Sequence, residues 1–163
     1  MRLSRRVVVG PLFVLVAGAC NEQQRATYAT YADADRDKAA ERGWIPGYVP
    51  RSATDIAEVH DLDLNTQRLR FRAPSADLRS MAAALRPVQA SELRDHDDRV
   101  PELKGPWPDE LDALGQKTGR DSTELGLFFA TDEKAAQCVA VEWKKNIAYA
   151  WSCNLRRSAP HDE

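Results

Sequence analysis

Hydrophobic and polar residues alternate most strictly in "TQRLRFRA", residues 66–73. Leu69, Phe71 and Ala73 fall on one side of an extended chain, and Arg68, Arg70 and Arg72 on the other. That period of two predicts a half-buried strand. The period then becomes helical. In "PSADLRSMAAALRPV", Leu78, Met81, Ala82 and Leu85 recur at i, i+3, i+4 and i+7, one apolar stripe of a helix over 75–86. Ser75 is placed to cap it, Asp77 suits its positive end, and Pro87 is the expected stop.

Residues 55–60 and, within "STELGLFFAT", residues 123–131 read as further strands, and "QCVAVEW" and "IAYAWSC" as a final pair over 136–144 and 147–154. With Lys145-Asn146 as the turn, Trp143 faces Ala148, Val141 faces Ala150 and Cys138 faces Cys153. Opposed thiols in an oxidising compartment pair, and closing such a loop is worth about 3 kcal/mol. The alternative is two reduced core cysteines. Residues 88–108 are charged and proline-broken, hence irregular, and "PDELDALGQKTG" offers a short helix with Leu111 and Leu114. The expected fold class is α+β. A mainly antiparallel sheet of about five strands carries one principal helix on one face and ends in a disulfide-closed hairpin.

The first 19 residues follow a different pattern. Arg2, Arg5 and Arg6 precede "VVVGPLFVLVAG", and small residues precede Cys20. This is the layout of a secretory signal. At about 13 residues the apolar run falls short of the roughly 20 that span a bilayer as a helix. Two cleavage readings fit. "VAGAC" resembles the lipobox of bacterial lipoproteins, in which Cys20 takes a diacylglycerol thioether and becomes the first mature residue. Ala17 stands where lipoboxes most often carry Leu, so cleavage after "AGA", giving a soluble periplasmic protein, is the rival. Cysteine parity bears on the choice: of three cysteines, lipidation of Cys20 leaves Cys138 and Cys153 to pair. Two acyl chains suffice for stable anchoring where one does not. Asn21, rather than the Asp associated with inner-membrane retention in that family, points to the outer membrane, facing the periplasm.

Residues 20–43 are then expected to be the lipidated cysteine and a flexible tether. "NEQQRATYATYADADRDKAAERG" is polar and small, without a stripe wide enough to bury, and as a coil it reaches about 25–30 Å. A single domain is expected over 44–155, with 156–163 as a disordered tail. It opens on "GWIPGYVPRSATDIAEVHDLDLN", where Pro46 and Pro50 impose an extended, turn-rich start. This segment resembles the start of a family of bacterial lipoproteins and hypothetical proteins with the pattern GW-L/I-P, LP-x-SAT-x-I and HDLDTN. Leu64-Asn65-Thr66 departs from the DTN ending. "CVAVEWKKNIAYAWSC" is similar to that family's C-terminal aromatic hairpin, and the likeness spans residues 43–155. It implies an envelope lipoprotein and no assigned activity.

Composition narrows function by exclusion. In 163 residues the net charge is −2. Removing residues 1–19 takes three arginines and no acid, leaving 20 Lys/Arg against 25 Asp/Glu, a charge of −5. No nucleic-acid partner is expected of such a chain. "DLDLN" sets Asp61, Asp63 and Asn65 at the first three ligand positions of a calcium loop. Thr66 and Arg72 then occupy the places that need Gly and Glu, so a turn is the expected role. "RDHDDR" puts His96 among Asp95, Asp97 and Asp98, and with His60 and Asp61 it offers an alternative, a metal-dependent hydrolase. No nucleophile motif or glycine-rich phosphate loop is present. No catalytic residue, metal ligand or cofactor is assigned.

Binding suits two features better. The row Arg68, Arg70 and Arg72 can meet carboxylates or phosphates, or be neutralised by Glu58, Glu124 or Glu142. In "GPWPDE", Trp107 between two prolines is rigidly presented to a protein partner or a sugar ring. The expected function is a lipid-anchored envelope protein, non-catalytic, binding an envelope protein or glycan or serving structurally. An inhibitor or immunity-type periplasmic lipoprotein is a narrower version.

Overall fold

Gln23–Thr30 forms strand β1, and Thr30 turns it directly into helix α1, Tyr31–Arg36. The Thr30 hydroxyl accepts from the Asp33 amide at 3.2 Å, and the Asp33 carboxylate accepts from the Thr30 amide at 3.0 Å. This reciprocal pair is a capping box. The hydrogen bond from the Thr30 hydroxyl, with smaller help from Arg36, holds the Asp33 carboxyl below its ordinary range. The computed structural model describes residues 23–89, 125–131 and 136–153. Beyond α1 come β2 (Thr54–Asp61), β3 (Thr66–Arg72), α2 (Ser75–Ala83), β4 (Arg86–Pro87), β5 (Leu125–Thr131), β6 (Ala136–Glu142) and β7 (Ile147–Ser152). They form one antiparallel sheet in the order β1-β2-β3-β7-β6-β5-β4. No helix among the described residues is long and apolar enough to cross a membrane.

The antiparallel sheet with few helices agrees with the expected class, but among the described residues seven strands replace about five, and α1 joins α2 as a minor helix. The larger correction concerns residues 20–43. The stretch from Gln23 is no tether. It supplies an edge strand paired with β2 from Gln23↔Asp61 to Thr30↔Thr54. Tyr31, Ala34 and Ala39 are buried, and the Tyr31 amide donates to the Ala53 carbonyl at 2.8 Å. An edge strand needs little apolar surface of its own, because the neighbouring strand provides the hydrogen bonds. The threonines and tyrosine of "QQRATYAT" are good strand formers.

α2 also differs in detail. Its N-cap is Pro74, with no side-chain capping bond from Ser75, and it ends at Ala83 with Ala84 as C-cap. Leu78, Met81 and Ala82 are buried as the stripe requires, and Leu85 packs partly against the same core. Pro87 lies in β4 and pairs with Phe128. β4 is an outer strand, where the missing amide of proline costs no ladder bond.

Two apolar clusters lie on opposite faces of the sheet. One joins Ile56, Leu69, Phe71, Val139, Val141, Ala148 and Ala150 to α2 and to the 31–53 segment. The other joins Val88, Cys138, Ala140, Ile147, Tyr149 and Trp151. The central strands β6 and β7 are therefore buried on both sides, which explains their nearly unbroken apolar sequence. Each fully buried large side chain, Phe71 or Leu69 for example, contributes about 1.5–3 kcal/mol.

The Cys138–Cys153 disulfide is present, with Cα atoms 5.7 Å apart. Its register is not the expected one. Glu142 pairs with Ile147, Val141 with Ala148, and Cys138 with Trp151. The hairpin has slipped by two residues, so Cys153 lies diagonal to Cys138 instead of opposite. A slip of two preserves which face a side chain occupies, whereas a slip of one reverses it. Both sulfurs thus remain on one face. The slip follows from the turn, which spans Trp143 to Asn146 and places Asn146 at φ +54°. The β2–β3 turn matches it, spanning Leu62 to Asn65 with Asn65 at φ +48°. Asparagine tolerates this left-handed conformation because its short polar side chain bonds locally.

Candidate functional site

Period two in β2 puts Glu58 and His60 on the same face as Ile56. Both are buried, with side-chain exposures of 0% for Glu58 and 6% for His60. His60 Nδ1 lies 2.9 Å from Glu58 Oε2. Trp44 stacks on the imidazole, ring centroids 4.2 Å apart and planes 25° apart, and the Arg42 guanidinium lies 3.9 Å above the indole. Gly43, at φ +83°, gives the backbone the left-handed turn that brings Arg42 and Trp44 over this spot.

Burial is the main influence on Glu58, pushing its carboxyl above the ordinary range. The hydrogen bond and charge of His60, then Arg42, oppose this only in part. Close by, the Tyr28 hydroxyl donates to Asp37 at 2.9 Å. Burial and that carboxylate push the phenol up to about 12. Among the described residues, Glu58 Oε1 and His60 Nε2 have no hydrogen-bond partner. The pair is an acid–base couple buried beneath Trp44.

His60 belongs to a polar row across the sheet. Gln24 on β1 pairs with His60, which pairs with Gln67 on β3, and Gln137 on β6 pairs with Ser152 on β7. The Gln67 amide donates to the Ser152 hydroxyl at 2.8 Å, and Gln137 Nε2 donates to Gln67 Oε1 at 3.0 Å. Gln67 Nε2 donates in turn to the Trp44 carbonyl. The Tyr48 hydroxyl closes the row by donating to Gln137 Oε1 at 2.5 Å. Burial of Gln137 and half-burial of Gln67 are tolerable here because their amides bond each other and their neighbours.

Tyr48 and Gln137 also wall an open cavity of about 640 Å³ with Leu85, Arg86, Phe129 and Ala130. The Arg86 guanidinium lies 5.4 Å from the Phe129 ring centroid. Aromatic walls with a cation and amide groups suit reversible binding of a small or chain-like ligand. None of these side chains is a ready nucleophile or general base.

The three arginines share a face as expected, but they do not form a uniform cationic row. Arg68 is buried, at 7% exposure. Arg70 Nη2 donates to Asp55 Oδ1 at 2.9 Å, and Arg72 Nε lies 3.4 Å from the other oxygen. Arg72 Nη1 also donates to the Lys145 carbonyl at 3.0 Å. Among the described residues, Asp55 rather than Glu58 or Glu142 is the acid that Arg70 and Arg72 share. Glu58 pairs with His60 on the opposite face, and Glu142 meets Lys145 at 2.7 Å. Asp61 Oδ1 accepts from the Leu64 amide at 3.0 Å, the turn role expected of "DLDLN". Cys20, Glu124, Trp107, His96 and its flanking acids lie outside the described residues.

Sequence reasoning weighed His60 only as a metal ligand and missed its pairing with Glu58. The signal was available: with Ile56 inward, period two carries Glu58 and His60 inward too. The cavity had none, because its walls come from four separate stretches of chain. Residues 22–72, which hold the whole Arg42–Trp44–His60–Glu58 stack, match the family model described as YbbD head domain. No curated protein and no solved structure matches the chain.

Proposed function

We infer that the chain is a lipid-anchored protein of the bacterial envelope, held through Cys20 at the outer membrane and facing the periplasm. Its sheet domain acts by binding rather than catalysis, and the cavity between Tyr48, Arg86 and Phe129 is its ligand site. One observation carries the non-catalytic part of the reading. The acid–base couple His60–Glu58 is sealed under Trp44, while the open cavity offers aromatic, cationic and amide walls. The lipobox-like "VAGAC", the GW-I-P to HDLDLN resemblance and the pairing of the other two cysteines support the anchor and the compartment.

Metabolic labelling with a palmitate analogue tests the anchor. Label is expected on the wild type and none on a Cys20→Ser variant. Label that persists in the variant overturns it.

A further inference from the structure

We propose that the tip of the β2–β3 hairpin is a membrane-contact element, its two leucines seated in the headgroup layer beside the lipid anchor. The proposal rests on the reading of Cys20 as lipidated. Among the described residues, the large apolar side chains left exposed are Leu62, at 57%, and Leu64, at 42%. Both lie in the turn between Asp61 and Thr66, with the Asp61 carboxylate tying the Leu64 amide. Nothing in the turn's own geometry requires leucine at either place, and water is a poor environment for both.

Their position supplies the occupant. Gln23 opens β1 and pairs with Asp61, so the start of β1 lies one strand spacing, about 4.8 Å, from the base of this turn. Cys20 is three residues upstream of Gln23, a reach of at most about 11 Å. A lipid on Cys20 therefore keeps the leucine tip close to the bilayer surface. A 23-residue tether would have imposed no such orientation. The opposite end of the sheet carries the Trp143–Asn146 turn, a full strand length away. Asp61 and Asp63 flank the leucines, which directs the contact toward zwitterionic rather than anionic headgroups.

The test uses the lipidated full chain in vesicles of phosphatidylethanolamine and phosphatidylcholine, with a nitroxide on an added cysteine. Asp63→Cys reports the tip and keeps both leucines, and Lys144→Cys reports the far end. Collision with oxygen, which favours the bilayer, is compared with collision with a neutral nickel chelate, which favours water. The oxygen-to-nickel ratio is expected to be roughly threefold or more higher at residue 63 than at 144. Adding Leu62→Ser and Leu64→Ser is expected to bring it down toward the far-end value. Equal ratios at the two positions, with one spin per chain, overturn the membrane contact and leave the anchor standing. Two spins per chain show Cys20 bare, which removes the anchor and the proposal with it.

Discussion

Gly126 shows how closely single side chains are fitted in this sheet. A Cβ there would sit 2.9 Å from both Phe128 Cε2 and Trp143 Nε1. The Phe128 and Trp143 rings meet edge to face at 6.3 Å, so neither yields without disturbing the other. Gly126→Ala is expected to cost about 1–3 kcal/mol in urea denaturation. Gly47→Ala, where a Cβ meets nothing within 4 Å, is expected to cost far less.

His60 matters for a different reason. Removing it leaves the Glu58 carboxyl buried beside an empty site, and His60→Ala is expected to destabilise the fold by about 3 kcal/mol at neutral pH. The sign of the pH response follows from the upward shift of Glu58. An acid whose folded value exceeds its unfolded value favours the fold when protonated. That contribution is present below the unfolded value and is lost as pH rises through the folded one. Denaturation of His60→Ala should therefore show stability regained as pH falls toward the ordinary carboxyl range. A loss of stability on that path would mean that Glu58 is not the group left stranded.

Among the elements, the β6–β7 hairpin separates what the sequence makes legible from what it does not. Strand identity, the shared face of the two cysteines and their pairing follow from period two. The register does not, because it depends on a four-residue turn whose last residue, Asn146, is left-handed. The same Asn-ended turn recurs at Leu62–Asn65, and the "DLDLNT" and "EWKKNI" stretches share that spacing. Reduction of Cys138–Cys153, which spans 15 residues, is expected to lower stability by about 3 kcal/mol in the chain-entropy picture, read as a shift in the denaturation midpoint. No shift would assign the hairpin's stability to its two-sided burial alone.

β1 was illegible for a reason of the same kind. Its inward residues Ala26 and Tyr28 make too thin a stripe to announce a strand, and its stability comes from pairing with β2. α2 was legible because its stripe is local to nine consecutive residues.

For the molecule as a whole, the two faces of the sheet separate the arginines from Glu58, which the sequence offered as one of their partners. The arginines share their face with the disulfide, Tyr149 and Trp151, while His60, Glu58 and the polar row lie on the other. Neither the cavity nor the polar row is encoded in any short stretch. Each is assembled from residues brought level by strand register, which a linear pattern does not contain.

Whole-molecule organisation also bears on the proposed anchor. With β1 starting at Gln23, a lipidated Cys20 would hold the sheet edge against the membrane instead of letting the domain float. The mass of the intact mature protein, taken from envelope membranes without reductant, tests this arrangement in one reading. Expected is a chain beginning at Cys20, heavier by its acyl groups and lighter by the two hydrogens lost to the Cys138–Cys153 bond. A chain of unmodified mass beginning at Cys20, or one that still carries residues 1–19, would refute it.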